Sequence, residues 1–215
     1  MSIKKFLAIP FFTLCVGSSA SAGIIASSSF DSGMEGWTGA PASEFSWVSS
    51  GGNTGGYIQS VDSSASAGGV LAPPTFLGDW SAFNGNGTIS FDHKLFSTGY
   101  IGNMGIGPYK VEITGAAGSA LWQAAPPTGA TDWISLTVPI DEADCSVTGV
   151  WSDILSSVTE LWIKVELVDN DASRNRDITG IDNIVLSANV PEPTSFLLMG
   201  LGLAGLGFAR RRKKA

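Results

Sequence analysis

Between Thr88 and Leu95 the chain alternates. Ile89, Phe91, His93 and Leu95 fall on one side, and Thr88, Ser90, Asp92 and Lys94 on the other. A period of two marks a strand with one face in a core and one toward water. The turn sequence Asn84-Gly85-Asn86-Gly87 stands directly before it. Tyr109-Lys110-Val111-Glu112-Ile113 alternates in the same way. Gly115-Ala116-Ala117-Gly118 then turns the chain toward Ala120-Leu121-Trp122, which predicts a hairpin. Further strands are expected over residues 133–138, 161–168 and 181–186, and Asp153 is expected to cap a short helical turn through Ile154, Leu155 and Val158. No stretch carries the period of a long amphipathic helix. Short strands spaced by roughly ten residues between Gly- and Ser-rich turns predict an all-β sandwich.

Both ends break this pattern. Lys4 and Lys5 precede an apolar run over residues 6–16, and Ala20-Ser21-Ala22 follows. A basic head, a short apolar segment and a small-x-small exit predict a secretory signal peptide over residues 1–22. Cleavage is expected after Ala22, with Ala20 and Ala22 as the two small positions. The run is short of the roughly 20 residues a spanning helix needs, and Leu14 stands where a lipidated Cys15 would require a small residue. At the other end, residues 196–209 are apolar or glycine throughout, and Arg210, Arg211, Arg212, Lys213 and Lys214 follow. Such a basic cluster resists translocation and holds its end in the cytoplasm while the body lies outside. Gly200, Gly202, Gly205 and Gly207 permit close helix packing in lipid. Pro191 and Pro193 keep the chain extended just before. These features alone fit a plain C-terminal anchor as well as a processing signal.

Taken together, Val190-Pro191-Glu192-Pro193, the glycine-rich apolar stretch and the closing Arg/Lys cluster resemble the PEP-CTERM sorting signal over residues 190–215. The resemblance implies recognition by an exosortase, a membrane cysteine protease of Gram-negative bacteria that make exopolysaccharide. It also implies use of the general secretion machinery and transient insertion of a hydrophobic sorting helix into the inner membrane. Cleavage is then expected close to the Pro-Glu-Pro triplet, with delivery to the cell surface or extracellular matrix. The chain therefore divides into a signal peptide (1–22), a β-body (23–188) and a sorting segment (189–215).

Charge sharpens the picture of the body. The whole chain has a formal net charge of −7, yet most of its basic residues sit in the two ends. The body keeps only Lys94, Lys110, Lys164, Arg174 and Arg176, against every carboxylate except Glu192. So acidic a surface repels phosphate backbones, which argues against nucleic acid as a partner and suits cation binding. Cys145 is the single cysteine of the body, so no intrachain disulfide is available and the exported fold must rest on its core.

Little in the body looks catalytic. His93 is the only histidine, and its inward position reads as a hydrogen-bonded core residue. Zinc sites built on two or three imidazoles are excluded, and Cys145 has no neighbouring thiolate. Gly105-Ile106-Gly107 lacks the strand-then-helix context of a nucleotide loop, and no Gly-x-Ser-x-Gly elbow occurs. A glycosidase needs two carboxylates roughly 5–9.5 Å apart across a cleft, and no pair stands out. The chain reads as a non-enzyme.

A second resemblance covers residues 30–187. Gly36-Trp37, the run GGVLAPPTFLGDWSAFNGNGTISFDHKL and the closing GIDNIVL resemble the laminin B (domain IV) module. Trp122, Trp133, Asp153-Ile154-Leu155 and Leu161-Trp162-Ile163-Lys164-Val165 follow in that module's order. The cysteines that surround laminin modules are missing. The resemblance implies a jelly-roll β-sandwich related to carbohydrate-binding modules. It further implies a structural Ca2+ where the first and last strands meet, which points to Asp31 and Asp182, with Asn53 adding an oxygen. Asp169-Asn170-Asp171 is another oxygen-rich run, with Arg174 and Arg176 close in sequence to neutralise it.

Seven tryptophans can fill a sandwich core or stack on sugar rings through their apolar faces. Trp80, beside Asp79 in a glycine-flanked turn, is the one expected to be exposed and ligand-binding. The expectation is thus an exported, exosortase-processed surface or matrix protein whose body is a non-catalytic binding module for polysaccharide or other matrix material. The alternatives are a structural matrix or biofilm protein without a specific ligand, and a polysaccharide hydrolase.

Overall fold

The computed structural model describes residues 21–41, 44–62, 68–97, 106–168 and 177–190. The expected signal peptide as far as Ala20, the tail from Pro191 with its apolar segment, and the run Asp169-Asn170-Asp171 with Arg174 and Arg176 lie outside the described residues.

The strands are β1 (Ser21–Ser28), β2 (Thr38–Ala40), β3 (Phe45–Val48), β4 (Tyr57–Val61), β5 (Gly69–Leu71), β6 (Gly87–Ser97), β7 (Tyr109–Gly115), β8 (Gly118–Ala124), β9 (Ile134–Ile140), β10 (Cys145–Gly149), β11 (Val158–Lys164) and β12 (Ile178–Val190). One sheet runs β3-β4-β12-β6-β9, with β1 also pairing β12; the other runs β10-β8-β7-β11-β5-β2. The chain crosses repeatedly between them, and the result is the anticipated jelly-roll β-sandwich.

The predicted alternation is realised. Ile89, Phe91, His93 and Leu95 of β6 are all buried; Ile89 and Phe91 join a core that includes Val111, Ile113, Leu161 and Ile163 from the opposite sheet, and Leu95 joins a smaller cluster with Tyr109 and Leu167. β7 and β8 form the expected hairpin, closing on the pair Gly115 and Gly118. The strand expected over 161–168 is shifted toward its start, because its last residues leave the ladder at Lys164. The helical turn is α1 (Trp151–Ser156), and here Asp153 has a different role from the expected cap. Val150 occupies the cap position without a side-chain hydrogen bond, and Asp153 lies in the first turn, where its charge favours the helix N-terminus.

Trp80 corrects an expectation. It is 1% exposed and belongs to the core. Two short 3-10 turns, Pro74–Phe76 and Ser81–Phe83, flank it and fold the segment inward. Its indole Nε1 donates to the Phe76 carbonyl at 3.1 Å, and its amide donates to the Leu155 carbonyl at 2.7 Å. A ring whose only polar atom is satisfied inside the protein fills space there and offers no face to a ligand.

Candidate functional site

The outward positions of the first sheet alternate with the buried ones, so they can be read from the register. Gly180 of β12 pairs with Gln59 of β4 and Lys94 of β6, and Asp182 pairs with Asp92. Asp92 in turn pairs with Ser135 of β9. Tyr57, Gln59, Lys94, Phe96, Gly180, Asp92, Asp182 and Ser135 therefore share one face, and Trp133, two residues before Ser135, joins them.

Three aromatic rings meet on this face. Tyr57 lies 5.5 Å from both Phe96 and Trp133, and Phe96 lies 5.9 Å from Trp133, centroid to centroid. They close over Gly180, where a β-carbon would come 2.9 Å from Trp133 and Tyr57 and 3.0 Å from Phe96. Only glycine lets the rings descend onto the sheet. Tyr57 is buried beneath its neighbours, whereas Phe96 and Trp133 keep part of their surface open. Polar groups frame the rings. Gln59 Nε2 donates to the Tyr57 hydroxyl at 2.9 Å, and the Trp133 indole donates to the Gly51 carbonyl at 3.2 Å. The Lys94 ammonium stands 4.9 Å over the Phe96 ring and 3.9 Å from Asp132. Partly open aromatic faces ringed by amide, ammonium and carboxylate groups suit a polyhydroxylated ligand, whose C–H faces stack while its hydroxyls bond.

A polar network adjoins the rings. The register slips by one residue between Asp182 and Val185, and Asn183 adopts φ 49°. This bulge turns two consecutive side chains to the same work. Asp182 Oδ2 accepts the amides of Asn53 (2.8 Å) and Thr54 (3.2 Å), and its Oδ1 accepts the Asn183 amide at 2.7 Å. Asp92 accepts from the side-chain amides of Asn53 and Asn183, each at 2.8 Å, and from the Ser135 hydroxyl. Loop 49–56 is thereby clamped over one end of the face.

The three expected calcium ligands all come to this loop. Asp182 binds it from β12, Asn53 lies within it, and Asp31 reaches it from the β1 side. A β-carbon on Gly55, which has φ +71°, would sit 2.0 Å from Asp31 Oδ1. Asn53 meets the neighbouring carboxylates through nitrogen, its backbone amide on Asp182 and its Nδ2 on Asp92. Burial, ahead of the nearby Asp92 charge, raises the Asp182 pKa, while the three amides pull it down.

His93 and Cys145 are not set up for catalysis. His93 is fully buried, with Nε2 on the Val165 carbonyl at 2.8 Å, and burial lowers its pKa to about 4. Cys145 sits half-buried in β10, lining a shallow groove with Leu121, Gln123 and Asp144. Burial, then Asp144 and Asp141, push its thiol up to about 11, the opposite of an activated nucleophile.

Sequence reading missed Tyr57, Gln59, Lys94, Phe96 and Trp133 as a group. One signal was present: Phe96 continues the polar side of the β6 alternation, so it places an aromatic ring on the water-facing side.

No curated protein matches the chain in sequence. Among solved structures, the L4b domain of human laminin alpha-2 is similar at 12% identity and a TM-score of 0.49, over 67% of this chain and 97% of its own. The family 11 carbohydrate-binding module of the cellulosomal cellulase Lic26A-Cel5E of Clostridium thermocellum is similar at 14% identity and a TM-score of 0.49, over 82% and 99%. The CBM22-1 xylan-binding domain of Paenibacillus barcinonensis Xyn10C has 14% identity and a TM-score of 0.45, over 80% and 98%. These are likenesses of fold alone. The family model described as the PEP-CTERM protein-sorting motif matches residues 189–213, a stretch that includes Val190, Pro191, Glu192 and Pro193. Residues 189–213 thus carry the PEP-CTERM sorting motif, which implies a protein exported and processed at the membrane.

Proposed function

We propose that the β-body is a non-catalytic module that binds extracellular polysaccharide across the outward face of the sheet containing β4, β12, β6 and β9. The observation that carries this reading is the gathering of Tyr57, Phe96 and Trp133 over Gly180, flanked by Gln59 and Lys94. Trp133 and Phe96 stack on sugar rings, and the flanking amide and ammonium groups set orientation. In this reading an exosortase of a Gram-negative bacterium removes the tail near Pro191-Glu192-Pro193, and the body is delivered to the cell surface or matrix. A structural Ca2+ held by Asp31, Asn53 and Asp182 belongs to the same reading. Its support is that all three come to loop 49–56, and chelation is expected to lower the melting temperature. An unchanged melting temperature together with no Ca2+ uptake by calorimetry removes it.

A glycan array probed with the full chain and with Trp133→Ala tests the binding face. Loss of an aromatic anchor of this kind costs about 2 kcal/mol, roughly thirtyfold in affinity. Binding that survives Trp133→Ala unchanged contradicts the assignment. A wild-type chain that binds no glycan favours the structural matrix protein.

A further inference from the structure

Trp133 stands one residue before β9, so strand pairing alone does not set its ring on the aromatic face. Its one polar atom is held by loop 49–56: the Gly51 carbonyl accepts the indole Nε1–H at 3.2 Å. Gly51 also stands beside Tyr57, whose Cε1 would lie 3.8 Å from a β-carbon there, and its φ of +92° is one that glycine adopts without strain. The loop is itself held from beneath. Its turn closes with the Gly52 amide on the Gly55 carbonyl at 3.1 Å. Asp182 Oδ2 accepts the next two amides, those of Asn53 and Thr54. A β-carbon on Gly52 would fall 2.7 Å from the same oxygen, so bare backbone lets the loop settle onto the carboxylate. Asp92 Oδ2 accepts from Asn53 Nδ2, and its Oδ1 accepts the hydroxyl of Ser135, two residues beyond Trp133. Both carboxylates are buried, Asp182 at 0% and Asp92 at 7% exposed, so neither is offered to a ligand.

These bonds form a short relay. It runs from Asp182 to the amides of Asn53 and Thr54, back along the loop to Gly51, and from the Gly51 carbonyl to the indole. With the loop seated, Trp133 meets a ligand in one orientation. With the loop lifted, the indole N–H loses its acceptor and the ring regains rotamer freedom that binding must then remove. We propose that loop 49–56 is the positioning element of the aromatic face, and that Asp182 and Asp92 set its affinity for polysaccharide by seating this loop. Trp133 enters as an anchor of the binding face proposed above, on which this role of the loop rests. Asp182 and Asp92 are positioning residues: they act through Trp133 and touch no sugar. Ordering one large side chain at the moment of binding lowers affinity by about three- to tenfold, and that is the effect expected when the loop is released.

The test compares wild type, Asp182→Ala, Asn53→Ala and Ile154→Val as full chains in detergent. NMR follows exchange of the Trp133 indole proton with water in the free protein. Affinity electrophoresis through gels cast with the producing cell's exopolysaccharide follows binding. Asp182→Ala is expected to speed indole exchange by about tenfold or more and to raise the apparent Kd by about three- to tenfold. Asn53→Ala, at an exposed position, removes the side-chain bond to Asp92 and shifts both readouts the same way, so the test stands even if Asp182→Ala does not fold. Ile154→Val, in the core on α1, lowers the melting temperature and leaves both readouts as in wild type, which separates positioning from a general loss of stability. Indole exchange at the wild-type rate in the loop variants overturns the relay. Faster exchange with unchanged retardation overturns the control of binding, and so does an equal loss of retardation in Ile154→Val. Wild type that migrates as in an empty gel overturns the binding face itself, a failure that the exchange rates do not share.

Discussion

Gly180 shows how much one missing methyl group can hold. Gly180→Ala would force a β-carbon into three rings at 2.9–3.0 Å, at a cost of about 1–3 kcal/mol for overpacking, and would spread the aromatic face. Its expected signature is weakened glycan binding together with a lowered melting temperature. Trp80→Ala should behave differently. It empties a core position at a cost of about 3–5 kcal/mol, read as a fall in the urea midpoint. His93 supplies a pH signature. Its folded pKa of about 4 lies below the ordinary 6.5, so the unfolded chain takes up the proton first. The stability it contributes is full above about pH 6.5 and is lost as pH falls toward 4. At most about 3 kcal/mol is at stake. Urea midpoints measured across that window should fall more steeply for wild type than for His93→Gln. Equal slopes would show that the ring is not held neutral.

Among the elements, β12 does the most varied work. It is central in its sheet, it supplies Gly180 to the aromatic face, and its bulge at Asn183 clamps loop 49–56 through Asp182. Asp182→Ala leaves the amides of Asn53 and Thr54 without their acceptor. Hydrogen exchange at those two amides should accelerate by about ten- to a hundredfold, equivalent to roughly 1–3 kcal/mol of lost clamping. Exchange that stays as slow as in wild type would mean that the loop is held by other contacts. Strands of this kind are legible in sequence where alternation is clean, as in β6 and the β7–β8 hairpin, because one buried face imposes a period of two. Trp80 escaped that logic because it sits between 3-10 turns, where no period reports which way a side chain points. The aromatic face escaped it for another reason. Tyr57, Phe96, Trp133 and Gly180 come from four separate strands or their flanks, and only the pairing order β4-β12-β6-β9 brings them together.

For the whole molecule, the ends and the body answer different questions. The sorting motif was readable because its three parts follow one another in the chain: a Pro-Glu-Pro triplet, an apolar run and a basic cluster. It predicts a released protein shortened near Pro191-Glu192-Pro193, and intact-mass measurement of the exported species checks this directly. A species that retains Arg210 through Lys214 would contradict processing. The burial of Glu44, Asp62, Glu166 and Asp177 was not readable, because three of them fall outside the expected strands and only the converging strand ends bring them under cover. The binding proposed for the body rests on its outward sheet face. Affinity electrophoresis of the full chain through gels cast with the producing cell's own exopolysaccharide tests that most directly. Wild type is expected to be retarded in proportion to polysaccharide concentration, with Trp133→Ala migrating nearly as in an empty gel. Identical migration of the two proteins at every concentration would contradict the binding face.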